Sequence, residues 1–261
     1  MSEGDPPAGP DETLPGFVPP DPEEKPALDL WREVGDVRAW GTLLLVLSWA
    51  AVLATMLALG ELGDSSAFVA RGASVAEGAS NEIWRLLTCT FLHAGAFHLL
   101  LNSASMWIYG PAVERIFTRG AFWIVFAGGG AVASLASLTW RSWRSAQFSY
   151  SVGASGAIFA LAGALLAGSF RLRHRLARGR ARALGAAMLF LVAQGLSGGV
   201  TRNGTDNIAH AGGLVAGVML GAVIPLHSRL EGKEPNRAWP LLGGVAALAL
   251  AAALVRVLLG G

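Results

Sequence analysis

Seven apolar stretches follow one another along the chain, at 39–60, 87–110, 121–139, 152–170, 183–201, 207–226 and 239–259. Each is near the roughly 20 residues that an α-helix needs to cross a hydrocarbon core. The runs are continuous rather than alternating, and an open sheet edge is not tolerated in lipid, so the pattern predicts helices and not strands. The fold class that follows is all-α, a polytopic membrane helix bundle. The second and sixth stretches carry strongly polar residues within them, and groups of that kind are expensive enough inside a span to mark a functional site.

The segments between the spans differ in charge. Residues 1–38 hold eight of the twelve prolines and ten of the eighteen acidic residues, which predicts a disordered cytoplasmic tail. This tail has neither the basic start and apolar run of a secretory signal nor the arginine content of an organellar transit peptide. With the tail inside, fourteen of the twenty lysines and arginines fall on the cytoplasmic side, including the dense run Arg171 to Arg182. The positive-inside rule then favours an inside N-terminus, an outside C-terminus and an odd number of spans. The arginine run reads as a topology anchor, and no nucleic-acid partner is expected. The connection from Glu61 to Arg85 lies outside and is long, and its Trp84-Arg85 pair suits a membrane interface.

Composition agrees with this division. Hydrophobic residues make up 53% of the chain and charged residues only 15%, with 34 glycines, where an average soluble domain is about 25% charged. The single cysteine, Cys89, excludes an intrachain disulfide and a multi-cysteine metal site. The alanine, glycine and arginine usage points to a GC-rich bacterial genome, and hence to a bacterial inner membrane.

Polar residues at three places carry candidate chemistry. In the second stretch His98 and Asn102 are four residues apart, on one helical face, with Met106, Tyr109 and Glu114-Arg115 beyond them. In the fourth, Gly153-Ala-Ser155-Gly156 puts a serine among glycines near the outer end. In the sixth, His210 precedes a ridge of Gly213, Gly217 and Gly221, on which another helix can lie almost backbone to backbone. Taken singly, each motif is satisfied by helix packing or interhelical hydrogen bonding. The third and fifth stretches look too uniformly apolar to line a polar cavity.

Depth connects the three. Spans two, four and six all run inward from the outside, so Ser155, His210, His98 and Asn102 converge towards one plane in the outer half of the bundle. A serine is a weak nucleophile until an adjacent base takes its proton, and a neutral His210 can do so and later protonate a leaving amine. Charge developing on an attacked carbonyl needs positioned donors, which Asn102, His98 and the Ser155 N–H can supply. The set is complete for acyl transfer with no metal and no cofactor.

In this order and spacing the residues resemble the rhomboid family of intramembrane serine proteases, over about residues 84–221. The resemblance rests on Trp84-Arg85, His93, His98-x-x-x-Asn102, Glu114-Arg115, Gly153-x-Ser155-Gly156 and Ala209-His210-x-x-Gly213-x-x-x-Gly217. It implies a serine endopeptidase with Ser155 as nucleophile and His210 as general base. Asn102, His98 and the Ser155 amide would form the oxyanion hole. Phe159 takes the place of the aromatic that stacks on the histidine, where many members carry tyrosine. The family uses a dyad, so Asp206, one turn before His210, need not be a third member. Seven spans resemble the six-plus-one branch: a tail over 1–38, a six-span core over 39–226, and a linker with a seventh helix over 227–261 that carries no site residue. The implied substrates are transmembrane segments of other proteins, cut near the outer membrane surface in regulated intramembrane proteolysis. Span five and the loop Thr201 to Thr205 are candidate gates. A non-catalytic membrane scaffold of the same fold and a small-solute transporter are the competing functions, although the halves of the chain show no internal repeat of the transporter kind. Oligomeric state is not legible.

Overall fold

The structure is a computed structural model that describes residues 38–76, 82–144, 150–173, 186, 206–227, 230 and 236–260. The acidic tail, all of the fifth apolar stretch but Ala186, and the loop Thr201 to Thr205 therefore lie outside the described residues.

Along the chain come α1 (Trp40–Ala58), α2 (Ser65–Ala70), the short strand β1 (Ser74–Val75), and α3 (Arg85–Thr88), which runs into a 3-10 turn over Cys89–Phe91. Then follow α4 (Ala96–Ile116), α5 (Arg119–Trp143), β2 (Tyr150–Ser151), α6 (Ser155–Arg171), α7 (Asn207–Val223) and α8 (Ala238–Leu259). Three of these, α1, α5 and α8, are each long and apolar enough to cross a membrane. The pair formed by residues 85–91 and α4 becomes a fourth if read as one bent span, and α6 and α7 are shorter apolar helices of 17 residues each.

Four expectations need correction. The second apolar stretch is not one straight helix over 87–110. Its first part is a separate limb, bent by 100° from α4 at the break Leu92-His93-Ala94-Gly95, and α4 continues through Pro111 to Ile116. Hydropathy cannot register this bend, because the first limb is itself packed inside the protein, with Phe91 and Leu92 buried. The sixth stretch ends as helix at Val223, since Ile224 precedes Pro225 and is extended. Strands do occur, as two residues of β1 paired antiparallel with two of β2, Ser74 opposite Ser151 and Val75 opposite Tyr150. Lastly, α5 is not uniformly apolar in effect, because it buries Ser134 and Ser137.

Helix α6 sits at the centre. Ile158, Phe159, Ala160, Leu161, Ala162, Ala164 and Leu165 are all buried, so it is covered on every side, as a helix apolar all round should be. Large side chains of α1 and α8 such as Leu44, Leu241 and Leu248 point outward instead.

Contacts sort the helix termini into two ends. At one, the Glu114 carboxylate near the end of α4 accepts hydrogen bonds from the Gly41 and Thr42 amides at the start of α1, at 3.1 and 2.9 Å. At this end Gly120 of α5 lies against Trp239 and Gly243 of α8, and Arg171 at the end of α6 donates to the carbonyls of Gly221 and Ile224, at 3.0 and 2.6 Å. At the other end the loop after α1 meets the last turn of α8, where Arg71 donates to the Val257 carbonyl at 2.7 Å. The starts of α6 and α7 and the end of α5 lie at that second end too.

Candidate active site

The glycine ridge on α7 lets two backbones touch. A Cβ built on Gly213 would lie 2.0 Å from the Gly156 carbonyl oxygen, and one on Gly217 would lie 2.0 Å from that of Ala160. Only glycine fits there. The contact is reciprocal lower down, where a Cβ on Gly163 would lie 2.3 Å from the Leu214 oxygen. Gly156 in turn faces Ala133 of α5, whose Cβ would be 2.6 Å from an added Cβ.

This approach brings the first turn of α6 against the first turn of α7. Ser155 Oγ lies 2.8 Å from His210 Nε2, within hydrogen-bond reach. One turn along α6, the Phe159 ring stacks on the His210 imidazole, with centroids 4.4 Å apart and planes 11° from parallel. The imidazole is thus held on one face by a ring and at one edge by the serine. His210 is only 8% exposed, and its Nδ1 has no hydrogen-bond partner among the described residues.

His98 and Asn102 reach the same place from α4. Gly153 has φ +125°, a conformation that side chains rarely adopt, and an added Cβ would lie 2.7 Å from His98 Cε1, 2.9 Å from its Nε2 and 3.9 Å from Asn102 Nδ2. Gly153 is therefore the point where the segment leading to Ser155 passes under the His98 ring. The Ala94 amide donates to His98 Nδ1 at 3.4 Å, which leaves the proton of the neutral imidazole on Nε2, the nitrogen beside Gly153. Asn102 spends one amide hydrogen on the His98 carbonyl at 3.2 Å. The Gly153 amide is held by the Cys89 carbonyl at 2.9 Å, which ties the segment to the bent limb before α4. His93 is fully enclosed, with its ring 5.2 Å from that of His98 and 5.4 Å from Trp49.

Asp206 does not reach the imidazole edge. Its Oδ1 caps α7 by accepting from the Ala209 amide at 3.0 Å. Its Oδ2 accepts from Ser151 Oγ at 2.9 Å and from Ser137 Oγ. Arg141 Nε donates to the same Ser137 oxygen at 3.2 Å, and its two terminal nitrogens each donate to Ser74, to the carbonyl and to Oγ, both at 3.0 Å. Sequence reasoning missed Ser74, Ser137, Arg141 and Ser151. They come from three separate segments, β1, α5 and β2, and lone hydroxyls or a single arginine carry no spacing signature.

The loop after α1 closes this end. Arg85 donates to the carbonyls of Val69 and Ala73, at 2.6 and 3.0 Å, and pairs with Glu82 at 2.7 Å. Trp84 lies under two guanidinium groups, those of Arg85 at 4.4 Å and of Arg256 in α8 at 3.8 Å. Arg71 pairs with Glu61, Nη2 to Oε1 at 2.9 Å, and this hydrogen bond holds the Glu61 carboxyl below the usual carboxylate range. Asp64 is also held low, by the Ser66 hydroxyl and amide. Among the described residues no three His, Cys, Asp or Glu side chains are grouped as a metal centre.

Comparison with known proteins places the arrangement. Residues 80–226 match the rhomboid domain. The chain is 35% identical over 148 residues to rhomboid protease GluP of Bacillus subtilis, which covers 57% of this chain and 27% of that protein. It is 37% identical over 146 residues to RHOMBOID-like protein 1 of Arabidopsis thaliana (55% of this chain, 35% of that protein) and 31% identical over 177 residues to RHOMBOID-like protein 7 (66% and 54%). The chain thus spans between about a quarter and a half of the length of these curated relatives. With a rhomboid domain over more than half of its residues and helices apolar enough to cross a membrane, the chain is an integral membrane protein that belongs to the rhomboid family.

Proposed function

We propose that the protein is an intramembrane serine endopeptidase that cleaves transmembrane segments of other proteins. The observation that carries this reading is the 2.8 Å approach of Ser155 Oγ to His210 Nε2 beneath a stacked Phe159. Similarity to GluP, a rhomboid protease of Bacillus subtilis, supports the same class.

In this reading Ser155 Oγ attacks the scissile carbonyl while His210 Nε2 takes its proton. For Nε2 to accept, the imidazole's own proton sits on Nδ1, and no carboxylate shares it. The dyad then works through position, with Phe159 fixing the ring plane. The carbonyl oxygen, as it gains charge, faces the Ser155 amide at the start of α6, where backbone N–H groups lack intrahelical partners and the helix dipole favours an anion. The second Asn102 amide hydrogen and His98 Nε2–H add donors beside Gly153. Each such donor is typically worth about 2.7–4 kcal/mol of transition-state stabilisation. The imidazolium next protonates the leaving amine, and the acyl-enzyme is hydrolysed by water with the same base.

The six-plus-one arrangement belongs to this proposal. α6 ends at the first end of the bundle and α7 begins at the second, which supports a further crossing in the chain between them, where the apolar stretch 183–201 lies. The lysine and arginine count then sets the site at the outer face, with the N-terminus cytoplasmic, in a bacterial inner membrane. Substrate segments must expose a carbonyl, so those with helix-weakening residues are favoured.

The test is cleavage of a single-pass substrate by purified protein in proteoliposomes. Wild type is expected to cut it, and Ser155→Ala and His210→Ala to leave it intact while keeping the wild-type unfolding temperature. Full activity in purified Ser155→Ala would overturn the mechanism.

A further inference from the structure

We propose that Asp206 is a positioning residue that holds the nucleophile and the base in register, through the backbone segments that carry them and not through the imidazole. The proposal rests on the protease reading above.

The two partners of the dyad reach the site on separate pieces of chain. Ser155 stands four residues after Ser151 of β2, and His210 stands four residues after Asp206. The Asp206 carboxylate joins those pieces. Its Oδ1 receives the Ala209 amide and so fixes the first turn of α7, whose fourth residue is His210. Its Oδ2 receives the Ser151 hydroxyl at 2.9 Å and so fixes the strand that leads through Gly153 to Ser155. One carboxylate thereby grips the segment of the base with one oxygen and the segment of the nucleophile with the other.

The grip is anchored to a third body. Ser137 of α5 also donates to Oδ2, and Arg141, one turn further along α5, donates both to Ser137 Oγ and to Ser74 of β1. Since Ser74 is the register partner of Ser151, α5, β1, β2 and α7 all meet at this carboxylate. A part-buried hydrogen-bond network that joins several segments at one carboxylate favours one arrangement of them. A conventional third triad member would instead accept from His210 Nδ1, and both Asp206 oxygens are already engaged elsewhere.

Two substitutions separate positioning from folding. Ser151→Ala removes only the link to the nucleophile's segment. Asp206→Asn keeps a good N-cap for α7 through its amide oxygen but sets an NH2, which accepts no hydrogen bond, against the two hydroxyls that donate to Oδ2. The readout is the rate at which a fluorophosphonate labels Ser155 in detergent-purified protein, which senses the Ser155–His210 geometry without a transmembrane substrate. Unfolding temperature and the kcat and KM for a single-pass substrate are measured alongside. Each variant is expected to label about tenfold or more slowly, with kcat reduced in proportion, KM within about twofold of wild type and the unfolding temperature nearly unchanged. The double variant is expected to be no slower than the worse single one, because both cut the same link. Wild-type labelling rates in both variants would overturn the proposal, as would losses that only follow the fraction unfolded. If wild type itself is labelled no faster than Ser155→Ala, the protease reading falls and this proposal with it.

Discussion

Gly213→Ala tests whether the spacing of α6 and α7 sets the chemistry. The added methyl would lie 2.0 Å from the Gly156 carbonyl oxygen and 3.0 Å from the Gly156 carbonyl carbon, both backbone atoms that no rotamer change can move. A comfortable C···O contact is about 3.3 Å, so the two helices must part there by about 1.3 Å. Gly156 is the residue after Ser155, and Gly213 is three after His210, so the separation falls on the dyad. A 2.8 Å contact then opens to about 4 Å, beyond the roughly 3.2 Å reach of a serine–histidine hydrogen bond. A misplacement of about 1 Å costs on the order of 100-fold in rate, and kcat is expected to fall by that much. Stability should change far less, because about 1–3 kcal/mol of overpacking is partly offset by the roughly 1 kcal/mol that alanine gains over glycine in a helix. The assay is cleavage of a single-pass substrate in proteoliposomes beside a thermal unfolding curve. Gly244→Ala is the control, because a Cβ there meets nothing within 4 Å. If Gly213→Ala cleaves at the wild-type rate while Gly244→Ala does the same, the backbone contact does not set the nucleophile–base distance.

Three further outcomes are expected. Phe159→Leu removes a ring stacked at 4.4 Å, a contact worth about 0.5–1.5 kcal/mol, and should slow fluorophosphonate labelling about tenfold or less, whereas Phe159→Tyr should keep it; equal rates in all three would show that stacking does not orient His210. Glu114→Ala strands the buried Gly41 and Thr42 donors at the end remote from Ser155, so it should cost about 3 kcal/mol in unfolding free energy while leaving kcat per folded molecule near wild type. The Glu61 carboxyl, held low by Arg71, contributes stability that is present above the ordinary carboxylate range and lost as pH falls through its lowered folded value. Protection against hydrogen exchange over residues 61–71, relative to the intrinsic rate at each pH, should therefore hold at neutral pH and fall as pH drops below the ordinary carboxylate range, and Glu61→Gln should remove that acid step.

That the chain is a helical membrane protein was legible because the bilayer demands runs of about 20 apolar residues, and such runs can be counted. The meeting of Ser155 with His210 was legible for a related reason: glycine at every fourth place on one helix announces a close partner, and the depth of each span gives the level at which it meets. The bend before α4 was not, since Cys89 to Leu92 is as apolar as a span and owes its hydrophobicity to burial in protein. Nor was the role of Asp206. A carboxylate four residues before the candidate base His210 invites a triad reading by proximity in sequence, while its actual partners are hydroxyls of Ser137 and Ser151, far away in the chain.

The clasp of Arg71 and Trp84 on the last turn of α8 sets a clock. Arg71 and Val257 are 186 residues apart, so at about 5–20 residues per second a ribosome needs on the order of ten to forty seconds to make the second after the first. The loop that borders the candidate site waits through that interval without its final anchor. A nascent chain that already holds Ser155 and His210 is therefore not yet closed around them, and completion of α8 is the event that finishes this wall of the candidate site.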